Sequence, residues 1–336
     1  MVKKIILYFI TLLFVSSCIK NEICYTPRDY EIHIIPSSSY EYKLSNDFIY
    51  WWSDGDWGDI GYKDQNIYYE DIYVNDCFIT SKLAHENPIN VLSSDIIDCV
   101  VSTYNLQESD HTYILTTPRK NEKVFSFLSQ YPIYDQPDEI WSNSIKNIKF
   151  DINKYKWDLN DELYSSNIHS KLNPQSFIYV IQIIIHNDKN NIPWGPVDCD
   201  SLVLSGVSCA RNIMTQKSIN DKCNIIGEIK PRQDMFDKMV FCSRIVTFGL
   251  PSPYQDGSSW DISQTIECFV GFKLTLLNGV NRRVKVNISN RMKEIPFGGL
   301  INIELNYSEI YTDNENEGGM NVGVGDWGHD EINIYI

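Results

Sequence analysis

Cys18 is the residue whose neighbours specify a reaction most narrowly. It ends the stretch Leu13-Phe14-Val15-Ser16-Ser17-Cys18, which follows Lys3-Lys4 and a mostly apolar run from Ile5 to Val15. A basic start, a short apolar segment and small residues before a cut describe a secretory signal. Val15 at minus three, Ser16 and Ser17 at minus two and minus one, and then Cys match the box at which exported bacterial chains are acylated. The chemistry would be a thiol carrying diacylglycerol, cleavage before Cys18 and acylation of the new amino terminus with a palmitate-type chain. Each buried methylene adds roughly 0.8 kcal/mol, so several acyl chains together hold a protein firmly on a membrane. A plain signal peptide or a short membrane anchor is the alternative. The apolar run of about 11 residues is too short for a span, which needs about 20.

Other stretches with the spacing of a known chemistry lack the context it needs. Gly323-Val324-Gly325-Asp326-Trp327-Gly328 has the form of a dinucleotide loop, which requires a following helix to aim its amides at a pyrophosphate. His329 to Ile336 alternates like a strand instead. Asp54-Gly55-Asp56-Trp57-Gly58-Asp59, and Asp313, Glu315 and Glu317, offer carboxylates to a calcium ion. Gln65 and Val324 stand where a calcium loop places its bidentate Glu, so solvated turns account for both better. None of His33, His85, His111, His169, His186 and His329 pairs with another His or a Cys at zinc-ligand spacing. Ser205-Gly206-Val207-Ser208-Cys209 is not a nucleophile elbow, because Gly does not flank a Ser at the required spacing. No catalytic constellation emerges, and the chain is expected to be non-enzymatic, with no cofactor and no metal.

The elements that must position any site are mainly strands. Removing residues 1–17 from the 336 leaves 319, enough for two domains of ordinary size. The formal charge of −15 becomes −17 once Lys3 and Lys4 leave, which argues against nucleic acid and against peripheral binding to anionic lipid. Many Tyr, Ile, Asn and Asp point to strands with polar turns. Eight Cys lie beyond Cys18: Cys24, Cys77, Cys99, Cys199, Cys209, Cys223, Cys242 and Cys268. An even number in an exported chain permits disulfides, with about 105 pairings, and small buried thiols are the alternative.

Residues 30–36, 47–52, 66–74, 97–104, 112–116 and 145–152 read as strands, with a helical turn or two in 121–130. Residues 153–173 are polar and irregular, and Asn173-Pro174 breaks the pattern, which places a domain boundary there. In the second half, 177–186, 201–204, 224–229, 239–248, 265–277, 282–288, 300–305 and 331–336 read as strands. Phe177 to Ile185 is interrupted only by Gln182, which fits a buried strand. Apolar runs on both sides of Asn278-Gly279 predict a hairpin. Strands at this density without intervening helices predict β-sandwiches and argue against a parallel α/β sheet.

Several segments taken in order resemble a family. Cys18-Ile19-Lys20-Asn21-Glu22-Ile23-Cys24-Tyr25 resembles a lipidated tether with a Cys-Tyr pair soon after the lipid. Pro137-Asp138-Glu139-Ile140-Trp141 resembles the close of a first domain, and Leu172-Asn173-Pro174 with Phe177-Ile178-Tyr179-Val180 the entry to a second. Ile245 to Gly249 and Leu274 to Gly279 resemble central strands, and Gly318 to Val322 with Val324 to Gly328 a C-terminal signature. Together they resemble the fimbrial anchor and accessory lipoproteins of Bacteroidetes, the FimB-like group. The resemblance implies two tandem transthyretin-like β-sandwich domains with few short helices. On this basis residues 1–17 are the signal, 18–29 the tether, 30–172 the first domain and 173–336 the second.

The resemblance also implies a lipid-anchored protein of the outer membrane, exposed at the cell surface, with fimbrial subunits as partners. Such subunits join by donor-strand exchange, in which one chain's strand completes another's sheet. Ile332, Ile334 and Ile336 alternate suitably for insertion, and an ordinary last strand is the alternative. A second functional reading is a surface glycan-binding lipoprotein that stacks sugars on Trp51, Trp52 and Trp57. Core or edge packing is the commoner use of Trp in a β-rich chain.

Overall fold

The computed structural model describes residues 29–38, 47–50, 67–84, 88–92, 95–104, 114–116, 119–120, 131–149, 156–158, 163–188, 197–251, 267–277, 279–310 and 331–335. The strands up to the middle of the chain are β1 (Asp29–Ser37), β2 (Tyr69–Val74), β3 (Cys77–Leu83), β4 (Ile89–Leu92), β5 (Ile96–Ser102), β6 (Ile114–Thr116), β7 (Arg119–Lys120), β8 (Ile133–Tyr134), β9 (Trp141–Lys149), β10 (Lys156–Asp158), β11 (Leu163–Lys171) and β12 (Asn173–Pro174). They are followed by β13 (Phe177–His186), β14 (Asp198–Ser208), β15 (Ala210–Asn212), β16 (Lys217–Ser218), β17 (Lys222–Ile229), β18 (Gln233–Asp234), β19 (Lys238–Thr247), β20 (Phe269–Thr275), β21 (Asn281–Asn287), β22 (Gly299–Asn306) and β23 (Glu331–Tyr335). Two short helices, α1 (Ser289–Glu294) and α2 (Tyr307–Ile310), flank β22. The fold is mainly β, built of several sheets with few short helices, the class the sequence predicts.

The chain divides into two compact units. Residues 1–37, 67–101 and 144–171 form one, and residues 38–66, 102–143 and 172–336 form the other. The last change of unit falls between Lys171 and Leu172.

In the first unit β1 lies between β11, which is parallel to it, and β4, which is antiparallel. Tyr30, Ile32 and Ile34 are buried while Glu31, His33 and Ile35 are half-buried, the period of a strand with one core face. β2 and β3 form a hairpin whose turn residues, Asn75 and Asp76, have φ of 50° and 65°. Two left-handed residues match the twist of the strands they join, and Asn and Asp tolerate that region best after Gly. β10 and β11 correct the expectation that 153–173 is irregular. The pattern Leu163-Tyr164-Ser165-Ser166-Asn167-Ile168-His169-Ser170 carries too few apolar residues to signal a strand, and its pairing with β1 supplies the order.

The second unit is a sandwich whose two layers share a corner. β22, β13 and β19 make one layer, and β14, β20, β21 and β23 follow β17 in the other. β17 pairs with β14 up to Gly227 and with β19 at Glu228 and Ile229, so it passes from one layer to the other. Tyr179, Ile181, Ile183 and Ile185 of β13 pack with Leu202, Leu204, Phe272, Val284 and Val286 to fill the interior. Ile178, Val180 and Ile184 point the other way, into a second cluster with Val240, Cys242, Val246 and Leu300. β13 is therefore buried on both faces, which is why it reads as a nearly continuous apolar run. β20 and β21 pair antiparallel as a hairpin, as expected, with Gly279 at φ 79° and Asn278 outside the described residues. Two pairs in this unit are parallel, β13 with β22 and β21 with β23.

Candidate functional site

Residues 47–50 are not a strand, as the sequence predicts for 47–52, but an extended segment laid across the outer face of β13 and β22. Tyr50 is buried there, and Phe48 and Ile49 pack on the same cluster. The segment is held by Gln182, the one polar side chain in the apolar run of β13. Gln182 Oε1 accepts the N–H groups of Ile49 at 2.9 Å and Tyr50 at 2.8 Å. Gln182 Nε2 donates to the Asp47 carbonyl at 3.0 Å and to Asn302 Oδ1 at 2.9 Å. Every hydrogen-bonding site of a fully buried amide is thus used, which removes the penalty of burying it. The Tyr50 hydroxyl donates to the Pro231 carbonyl, and burial, reinforced by nearby Cys242, pushes its phenol up to about 12. The signal in the sequence was Gln182 itself, a lone amide inside a strand with no wet face.

A second glutamine works at the corner. Glu228 pairs with Arg244, so two residues further along the same register Ile226 would face Val246. Gln136 stands between them instead: its Nε2 donates to the Ile226 carbonyl at 3.1 Å and its Oε1 accepts the Val246 N–H at 2.9 Å. Where the strands splay, a side-chain amide replaces the lost ladder bonds. Glu139 forms an ion pair with Arg244 beside it, with both side chains largely buried. Asn224 adds bonds to the carbonyl groups of Tyr131 and Pro132. Through these bonds residues 131–139 are held along β17 and β19 of the second unit.

Among the described strands β23 ends the sheet order of the second unit. It runs parallel to β21, with Val284 in register with Ile332 and Val286 with Ile334. Val284 and Val286 are fully buried in the core. Of the strand-exchange candidates, Ile332 and Ile334 lie in β23, and Ile336 lies outside the described residues. Cys18, Cys24, Trp51, Trp52 and Trp57 also lie outside them, as do the loops at 54–59, 313–317 and 323–328.

Titratable groups cluster inside the first unit. Glu70 and Asp71 of β2 are buried, and Lys82 of β3 stands 3.8 Å from Glu70. Burial raises the Glu70 carboxyl to about 7, with Lys82 pulling it back, and burial lowers Lys82. Cys99 of β5 is held well above the usual thiol value by burial, with Glu70 and Asp71 adding to it. The described cysteines, Cys77, Cys99, Cys199, Cys209, Cys223, Cys242 and Cys268, are free thiols. Among the described residues no three of His, Cys, Asp and Glu are placed to hold a metal, and no helix is long and apolar enough to cross a membrane.

No protein-family model matches the chain, and no curated protein matches it in sequence. Solved structures match in part. A candidate adhesin of Bacteroides ovatus is 11% identical over 84% of this chain and 93% of its own, with a TM-score of 0.45. A candidate cell-adhesion protein of Bacteroides uniformis is 10% identical over 75% of this chain and 90% of its own, at 0.40. The fimbrial anchor protein Mfa2 of Porphyromonas gingivalis is 8% identical over 84% of this chain and 91% of its own, at 0.32. Scores below 0.5 at this identity make these likenesses of arrangement only, and a shared fold would not by itself fix a function.

Proposed function

We propose that this chain is a non-enzymatic surface lipoprotein, held on the outer membrane through acylated Cys18, that anchors or assists fimbriae by exchanging strands with their subunits. The observation that carries the reading is the position of β23 as a parallel edge strand on β21. Residues 311–330 separate it from α2, and about 20 residues reach at most about 70 Å when extended. A strand on so long a connection can leave its own edge and add to another without refolding the rest of the sandwich. In such an exchange backbone bonds along the added strand supply affinity, and the alternation of Ile332, Ile334 and Ile336 in sequence supplies specificity. The acylation box at Val15 to Cys18 supports the anchor.

The test is co-purification from cell envelopes of the native chain, a Cys18→Ala variant and a chain ending at Asp330. Retention of polymeric fimbrial subunits by the native chain, their release into the medium with Cys18→Ala, and their loss on truncation are the expected results. Equal recovery of subunits by the truncated chain defeats the strand-exchange part. Absence of fimbrial subunits from all three samples defeats the whole reading.

A further inference from the structure

The first unit contains an open groove of about 560 Å³ lined by the end of β9 and the middle of β11. Its rim is polar: Asn147, Lys149, Asn167 and His169 are all exposed. Ile148, which is buried, and half-buried Ile168 form an apolar floor between them. The volume is that of a small-ligand site, and an apolar floor with a few convergent polar groups is the usual composition of one.

The backbone is bent to make this rim. Asn147 has φ 57°, a left-handed residue inside a strand, and its N–H donates to Asp98 Oδ1 at 2.7 Å. Lys146 and Asn147 are successive exposed residues, so the alternation of β9 slips by one. That slip turns Ile148 inward and leaves Asn147 and Lys149 on the rim. Bulges and left-handed residues that re-aim side chains in this way concentrate at binding sites.

The sequence has 44 Asp and Glu against 29 Lys and Arg, yet among the described residues no carboxylate lines the groove, and Lys149 gives its described lining the opposite charge. Lys149 supplies a positive charge, His169 an imidazole, and Asn147 and Asn167 supply amides that both donate and accept. We propose that this groove binds an acidic sugar of the uronate class. The ring's C–H face rests on Ile148 and Ile168, its hydroxyls bond to Asn147 and Asn167, and its carboxylate faces Lys149.

The test is calorimetric titration of the full chain in detergent with tetragalacturonate and with its methyl ester, which keeps the ring and removes the charge. Saturable binding of the acid, at least tenfold weaker binding of the ester, and an at least tenfold loss with Lys149→Gln are expected. Lys149→Arg should retain binding, and Asn167→Ala should weaken both ligands by a few-fold. These side chains are exposed, so circular dichroism should show each variant folded as the parent. No saturable binding of tetragalacturonate, equal binding by Lys149→Gln, or equal affinity for the methyl ester overturns the proposal. Displacement of the sugar by inorganic phosphate at equal concentration also overturns it, since that marks a general anion site.

Discussion

Gln182 accepts the backbone N–H of Tyr50 at 2.8 Å across 132 positions of sequence, and the same oxygen accepts the neighbouring N–H of Ile49. A buried side-chain amide thereby gives an irregular segment the bonds that a neighbouring strand would have given it. The outer face of β13 is covered by Phe48, Ile49 and Tyr50 only while those bonds hold.

Replacing Gln182 with Leu should lower stability by about 2–4 kcal/mol, because the backbone groups of Asp47, Ile49 and buried Tyr50 lose their partner and the apolar face loses its cover. Urea unfolding reads the loss, and hydrogen exchange should show the amides of Ile49 and Tyr50 opening faster than those of β20. Gln136→Leu should cost only about 1 kcal/mol, since Gln136 is half-buried and water can take its place.

Stability of the first unit should fall as pH rises. The folded-state value of Glu70, about 7, lies above its ordinary 4.5. A carboxyl raised on folding binds its proton more tightly in the folded state, so its contribution is full below about 4.5 and is lost as pH rises through about 7. Between about pH 5 and about pH 8 the loss should be on the order of 2 kcal/mol. Melting curves of the parent should shift downward over that range, and those of Glu70→Gln should move much less. An equal shift in both would assign the effect to other groups.

Thiol reactivity should follow burial. Cys77 is exposed on β3, whereas Cys99, Cys223 and Cys268 are buried. Burial pushes the Cys268 thiol up to about 12, which leaves a thiolate fraction on the order of 1 in 10,000 at about pH 8. Iodoacetamide followed by peptide mass spectrometry should find Cys77 modified in the native protein, and the buried Cys99, Cys223, Cys242 and Cys268 only after unfolding.

Two glycines with similar backbones should differ in their tolerance of a methyl group. Gly206 has φ 87°, and an added Cβ would fall 2.2 Å from the Glu267 carbonyl oxygen. Its position marks the bulge between Ser205 and Val207, where β14 shifts register against β17. Gly206→Ala should cost at least about 2–4 kcal/mol. Gly279 has φ 79° with nothing near the added carbon, so Gly279→Ala should cost about 1 kcal/mol in backbone strain alone. Denaturant midpoints of the two variants provide the comparison.

Sequence by itself determined what depends on neighbours along the chain. Alternation marked β21, Asn278-Gly279 marked the hairpin, and the run from Phe177 marked a buried strand, because each is a local preference of backbone and side chain. The acylation box expected at Cys18 is local in the same sense, since a box of that kind is read in an extended chain before folding. Tertiary structure decided which distant segments meet. The strand β11 exists through its parallel pairing with β1, although its own side chains barely announce it. Residues 47–50 and 131–141 join the second unit through Gln182, Gln136 and Arg244, partners more than 90 positions away or supplied by other strands. The groove beside Asn147 is likewise set by a backbone slip against Asp98 that no pattern in β9 foretold. A pattern of apolar residues states which face must be covered; only the closed structure states what covers it.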